Sequence, residues 1–182
     1  MEGKIRGKHG RIDENVVNLW VKSTLKLNDK MKIGDKIPED LGLDMNGNVV
    51  KASDFAGKKL IIYFYPKDST PGCTAEACSL AEGYGALKRA GFALLGVSKD
   101  SAKSHQRFAE KYSLPFPLIT DEDTRLNQAF GVWREKKMAG RTYMGTVRTT
   151  FIIDEQGFVT HIIDKVKTKE SAKQILELVD RP

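Results

Sequence analysis

Residues 60–65 read Leu60, Ile61, Ile62, Tyr63, Phe64, Tyr65, six apolar residues with no polar one among them. A strand with one face in water alternates apolar and polar side chains, so an unbroken run of this length is a strand covered on both faces. The run stops at Pro66, and Lys67, Asp68, Ser69, Thr70, Pro71 and Gly72 form a turn that cannot extend it. Apolar positions then return at Ala77, Leu80, Ala81 and Tyr84, the spacing of one helical face. Both cysteines of the chain, Cys73 and Cys78, lie at the start of this helix. In a first helical turn the unpaired N–H groups and the positive end of the dipole favour negative charge, which suits a thiolate at Cys73.

Strand and helix patterns alternate through the rest of the chain. After Gly91, residues Phe92 to Ser98 are a second buried strand, and Ser101 is a good N-cap for a helix reaching about Tyr112, with Phe108, Ala109 and Tyr112 inward. Pro115 and Pro117 frame a short strand at Leu118 and Ile119, and a short helix runs from about Thr124 to Phe130. Val147 to Ile153 and Phe158 to Ile163 are two strands joined by a turn at Asp154, Glu155, Gln156 and Gly157. A closing helix starts near Thr168, with Ala172, Ile175, Leu176 and Val179 on one face. From Met31 to the first strand the chain reads as a loop with a turn at Asn46, Gly47 and Asn48. Alternating strands and helices followed by a hairpin and a last helix specify an α/β fold, a three-layer sandwich around a mixed central sheet.

Residues 1–30 differ from the remainder: they hold seven Lys and Arg against four acids, half of the net charge of +6. A weakly amphipathic helix through Val17, Trp20, Val21 and Thr24 is the one element expected there. The organisation is therefore an N-terminal extension of unknown role, 1–30, and a domain, 31–182. No zinc-finger spacing, aromatic RNA-binding signature or long basic stripe accompanies the charge, so no nucleic-acid partner is expected. No run approaches the length of a membrane span, and the first residues lack an apolar core with a small-residue cleavage site, so the chain is read as cytoplasmic and without a membrane partner. Two cysteines this close in sequence staple little chain, which favours redox or nucleophilic chemistry over a structural bridge. His9, His105 and His161 stand at no metal-ligand spacing with the cysteines, so neither a metal nor a catalytic histidine is expected.

Two cysteines five positions apart say little alone, since buried, inert cysteine is a common interior residue. Their surroundings say more. Pro66, Thr70 and Cys73, spaced P-x-x-x-T-x-x-C between a strand and a helix, resemble the signature of the peroxiredoxins. The longer string YPKDSTPGCTAEACSL is similar to the peroxiredoxin Q subgroup, also called bacterioferritin comigratory protein, and the likeness runs from Met31 to about Asp180. It implies a thioredoxin-like fold and a thiol peroxidase that reduces hydrogen peroxide and organic hydroperoxides, needs no cofactor, and is recycled by thioredoxin or a similar dithiol donor. A monomer, or at most a weak dimer, is expected. Position by position, the resemblance makes Cys73 the peroxidatic nucleophile and Cys78 the resolving cysteine. Thr70 places its hydroxyl beside sulfur and peroxide, Pro66 shields the sulfur from water, Arg148 is the active-site arginine, and Glu76 is an acid that helps orient it. Ala81 and Glu82 depart from the Arg-Asp or similar polar pair that often follows the second cysteine, a difference of helix packing rather than chemistry.

Each of these residues also has a plainer reading. Thr70 serves equally as an N-cap, Pro66 as a strand terminator, Arg148 as a surface or salt-bridge residue, and Lys67 and Asp68 as solvated turn charges. Two other activities stay open on the residues alone: a dithiol disulfide reductase, whose usual C-x-x-C spacing the chain lacks, and a redox-regulated binding protein whose oxidation exposes apolar surface. Catalytic rather than stoichiometric consumption of peroxide separates the peroxidase from the latter.

Overall fold

The apolar run becomes the middle of a seven-stranded mixed sheet. The computed structural model describes residues 30–180, and the helix expected within the extension lies outside them. In chain order the elements are β1 (Asp40–Asp44), β2 (Val49–Lys51), a 3₁₀ turn (Ala52–Phe55), β3 (Lys59–Phe64), α1 (Pro71–Arg89), β4 (Phe92–Ser98), α2 (Ala102–Tyr112), β5 (Leu118–Thr120), α3 (Arg125–Ala129), β6 (Trp133–Met138), β7 (Arg141–Thr146), β8 (Thr149–Ile153) and β9 (Val159–Ile163). A second 3₁₀ turn (Thr168–Glu170) then leads into α4 (Ser171–Val179). The sheet order is β2-β1-β5-β4-β3-β8-β9, with β3, β4 and β5 parallel and the other pairings antiparallel. This is the expected α/β sandwich with a mixed sheet. No helix among the described residues is long and apolar enough to cross a membrane.

Burial follows the strand period of two. Ile61, Tyr63 and Tyr65 face a core shared with α1, α2 and α4, while Leu60, Ile62 and Phe64 face a second core closed by α3, Phe130, Val132 and the segment around Ile37. All six are at most 1% exposed, which is why the run contains no polar residue. Ser101 caps α2 through its side chain, accepting from the Ser104 amide as expected.

Two hairpins were not legible in the sequence. The segment expected to be loop contains β1 and β2, joined by a turn in which Asp44 Oδ1 accepts from the Asn46 and Asn48 amides at 2.8 and 2.9 Å. A register shift within β1 and the left-handed Gly42 (φ +90°) interrupt its alternation, so a run of three to five residues gives no readable period. The β6–β7 hairpin carries Arg134, Glu135, Lys136, Lys137 and Arg141 and has no apolar face for a period-two pattern to reveal. Its two-residue turn, Ala139 (φ +51°) and Gly140 (φ +77°), adopts the doubly left-handed geometry of tight hairpins, but alanine at the first position conceals it.

The helix that carries both cysteines lies close against α4. A Cβ added to Gly83 would fall 2.2 Å from the Ala172 Cβ, so the missing side chain is what allows the approach. Gly83→Ala is expected to destabilise the domain by about 1–3 kcal/mol, the usual overpacking cost, and Ala172→Gly in the same chain is expected to recover part of it. Urea unfolding of the two variants checks this; equal stability of Gly83→Ala and the parent chain would contradict it.

Candidate active site

Cys73 is the third residue of α1, after Pro71 and Gly72, and is 1% exposed. Proline suits the first helical position because it has no N–H to leave unpaired there. Residues three, four and seven further on share its side of the helix, so Cys73, Glu76, Ala77 and Leu80 are buried together against the sheet. Cys78 falls on another side of the same helix and is half-buried, and both thiols are free. The Thr70 side chain makes no capping bond to the helix.

Arg148 arrives from the far side of the chain. Its Nη2 donates to Cys73 Sγ at 3.2 Å, and its Nη1 donates to Glu76 Oε2 in an ion pair. The position is set by the base of the β6–β7 hairpin: the Val147 amide donates to the Val132 carbonyl at 2.8 Å, and Thr146 Oγ1 donates to Asn127 Oδ1 at 2.8 Å. Asn127 is in turn held by Asp121, which accepts from its amide at 2.8 Å and its side chain at 2.7 Å. Because Val147 bonds to Val132, the ladder of β8 with β3 begins at Thr149 opposite Phe64, and Arg148 stands just before the strand rather than within the expected Val147–Ile153. Gly72 leaves room for the guanidinium, since a Cβ there would lie 3.3 Å from Nη2.

One guanidinium thus serves two acidic groups. Glu76 is fully buried, and that burial pushes its carboxyl up to about 7 against the opposing pull of Arg148. Burial also works against the charge of Arg148, but Glu76 and the Cys73 sulfur outweigh it and hold the guanidinium above its ordinary value. Cys73 is thus a buried thiol that faces a cation in the first turn of a helix.

Residues 33–162 match the AhpC/TSA family. The chain is 42% identical over 147 residues to peroxiredoxin Bcp of Bacillus subtilis, covering 81% of this chain and 94% of that protein. The Escherichia coli K12 peroxiredoxin Bcp is likewise 42% identical, over 146 residues, covering 80% of this chain and 94% of that protein. The chain is a peroxiredoxin of the AhpC/TSA family. Among solved structures, Xanthomonas campestris bacterioferritin comigratory protein aligns with a TM-score of 0.72 and 37% identity over 80% of this chain and 97% of that one. A mutant of Xylella fastidiosa PrxQ aligns with a TM-score of 0.77 and 32% identity over 84% of this chain and 97% of that one. The fold is therefore thioredoxin-like, as the resemblance implied.

Of the residues expected to form the peroxiredoxin site, the fold joins Cys73, Arg148 and Glu76 by direct contact. Thr70 stands immediately before the helix, but its hydroxyl donates to the Lys67 carbonyl at 2.9 Å, so the capping role expected for its side chain is not realised. Pro66 is half-buried in the same loop. Lys67 is exposed as expected, but Asp68 is not a solvated turn charge: it is 6% exposed. Its carboxylate accepts from Tyr65, three residues earlier, and from Ser104 and faces His105, two α2 side chains that the loop sequence alone does not place beside it. A signal for His105 did exist, because it lies three and four residues before Phe108 and Ala109 on the inward face of α2. A histidine buried there must find polar partners.

The buried carboxyl of Glu76 makes stability depend on pH. Its folded value, about 7, lies above the ordinary 4.5, so the folded protein binds this proton more tightly than the unfolded chain does. Its contribution is therefore greatest below about pH 4.5 and declines as pH rises to about 7, by about 3 kcal/mol in all. Glu76→Gln, which cannot titrate, is expected to lose this decline. Urea midpoints of the two proteins between pH 5 and pH 8 check it, and a parallel pH dependence in both would refute the assignment.

Proposed function

We propose that this chain reduces hydrogen peroxide and organic hydroperoxides through a thiolate at Cys73, with Cys78 as the resolving cysteine and thioredoxin or a related dithiol protein as the reductant. The observation that carries the reading is the 3.2 Å contact of the Arg148 guanidinium with Cys73 Sγ at a helix N-terminus. The alkyl peroxide reduction activity named for the Xanthomonas campestris relative supports organic hydroperoxides as substrates. A reducing cytoplasm, where both thiols stay free, is the setting that fits.

In the first step the Cys73 thiolate attacks the terminal oxygen of R–O–O–H. The S–O bond forms as the O–O bond breaks, the leaving RO⁻ takes up a proton, and Cys73 becomes a sulfenic acid. Arg148 supplies donors where charge moves from sulfur to the leaving oxygen. The Thr70 hydroxyl, its own proton given to Lys67, has lone pairs left to accept the peroxide O–H. In the second step the Cys78 thiol attacks the Cys73 sulfur; the S–S bond forms as the S–O bond breaks, and the hydroxide leaves with the thiol proton as water. Exchange with the dithiol donor restores both thiols.

The second step requires α1 to open. Positions five apart on an ideal helix have Cα atoms about 8.7 Å apart, beyond the roughly 7 Å that a disulfide spans without backbone movement. Both cysteines lie inside the 19-residue helix, so its first turns must unwind before the bond closes. Unwinding also removes the first-turn amides that support the thiolate, so the peroxide must react first.

Cys73→Ser is expected to abolish peroxide turnover, and Cys78→Ser to leave one peroxide-dependent sulfenic acid at Cys73. A thiol-donor consumption assay and mass spectrometry read these outcomes, and substantial turnover by Cys73→Ser would overturn the function. Amide hydrogen exchange over residues 74–85 is expected to be faster in the oxidised than in the reduced protein. Equal protection alongside a confirmed disulfide would show that the bond forms without unwinding.

A further inference from the structure

The loop that joins β3 to α1 is held from inside by a polar cluster that the proposed reaction does not use. Asp68 Oδ1 accepts from the Tyr65 hydroxyl at 2.8 Å, and Oδ2 accepts from Ser104 Oγ at 2.7 Å. His105 Nδ1 lies 2.9 Å from Oδ2, and its Nε2 lies 3.2 Å from the Ile119 carbonyl. Both ring nitrogens thus have polar partners, as a buried imidazole requires. The Asp68 amide donates to Asp100 Oδ2 at 2.8 Å, and Ser98 Oγ donates to the same oxygen at 2.7 Å. Tyr65 just after β3, Asp100 just after β4, and Ser104 and His105 of α2 converge on one loop residue. Burial raises the Asp68 carboxyl, but hydrogen bonds and charge from His105, with hydrogen bonds from Ser104 and Tyr65, overcome that effect and hold it below its ordinary value.

This convergence has a local counterpart in the backbone. Ser69, the next residue, has φ +59°, a conformation that non-glycine residues keep only where their surroundings impose it. On the other side of Asp68 is Lys67, whose carbonyl takes the Thr70 hydroxyl proton at 2.9 Å. Fixing Asp68 therefore fixes the Lys67 carbonyl, and the carbonyl fixes the Thr70 rotor. A threonine hydroxyl free to rotate would present its proton or its lone pairs to a peroxide with no preference.

We propose that Asp68 is a positioning residue of the peroxidase site: clamped by His105, Ser104, Tyr65 and Asp100, it holds the Lys67 carbonyl so that the Thr70 lone pairs face the hydroperoxide. The inference rests on the role given to Thr70 above.

The experiment is a double-mutant cycle on the second-order rate of Cys73 with hydrogen peroxide, measured by stopped flow, with the thiolate absorbance titrated in every variant. Asp68→Asn is expected to slow the peroxide step about tenfold, in the range that small misplacements of a reacting group produce. Its thiolate titration is expected to overlay that of the parent chain. Thr70→Val is expected to slow the same step, and Asp68→Asn added to Thr70→Val is expected to slow it no further, because the group through which Asp68 acts is gone. Ser104→Ala, which removes one donor and leaves the His105 contact, is expected to give a smaller loss with the same coupling and serves where Asp68→Asn does not fold. An Asp68→Asn or Ser104→Ala rate within twofold of the parent, a loss that multiplies with that of Thr70→Val, or a loss matched by lost thiolate would each overturn the proposal. If Thr70→Val reacts as fast as the parent, the role of Thr70 falls and this inference with it. If Thr70→Val is slow and Asp68→Asn is not, only the inference falls.

Discussion

The Arg148 guanidinium lies between the Cys73 sulfur and the Glu76 carboxylate, and these two acidic groups sit one turn apart on the inner face of one helix. Neither acid has water to screen it, so each depends on a cation that originates 72 and 75 residues further along the chain. A buried pair of this kind is costly to break from either side, because the partner left behind remains a desolvated charge. The position of Arg148 is thus the condition on which the site depends, and the fold meets it with the hairpin base: Thr146 bonded to Asn127, Val147 to Val132, and β8 entering the sheet one residue later.

The scaffold around the cysteines is unequal in strength. β3 is sealed on both faces and paired to β4 and β8 along its whole length, so its end is a fixed point. The helix that follows is anchored differently along its length. Its middle and end lie against α4, where Gly83 meets Ala172 and the Ala172 amide reaches Ser79 Oγ at 3.4 Å. Its first turns rest on Cys73 and Glu76 and on the loop before them.

Glu76 carries a further consequence of packing two acids against one base. With its carboxyl pushed up to about 7, it carries a proton for much of the time at neutral pH, and the guanidinium is then less neutralised on that side. The guanidinium's other side is directed at the Cys73 sulfur.

Period and chemistry in the local sequence determined the central elements. Six apolar residues in a row specified β3, Ser101 specified the start of α2, and the spacing around Cys73 and Thr70 carried the family and with it the thioredoxin-like fold. These features are legible because strand alternation, helix capping and turn chemistry act between residues close in sequence. The two hairpins were hidden because one is short and interrupted and the other has no buried face, so neither leaves a periodic trace. Only the tertiary structure decided that Arg148 reaches both Cys73 and Glu76, and that Asp68 is buried among Tyr65, Ser104, His105 and Asp100 rather than left in water. An isolated acid in a polar turn reads as solvated. Apart from the nearby Tyr65, its partners stand on α2 and beyond β4, and the parallel register of β3, β4 and β5 brings them to the same end of the sheet.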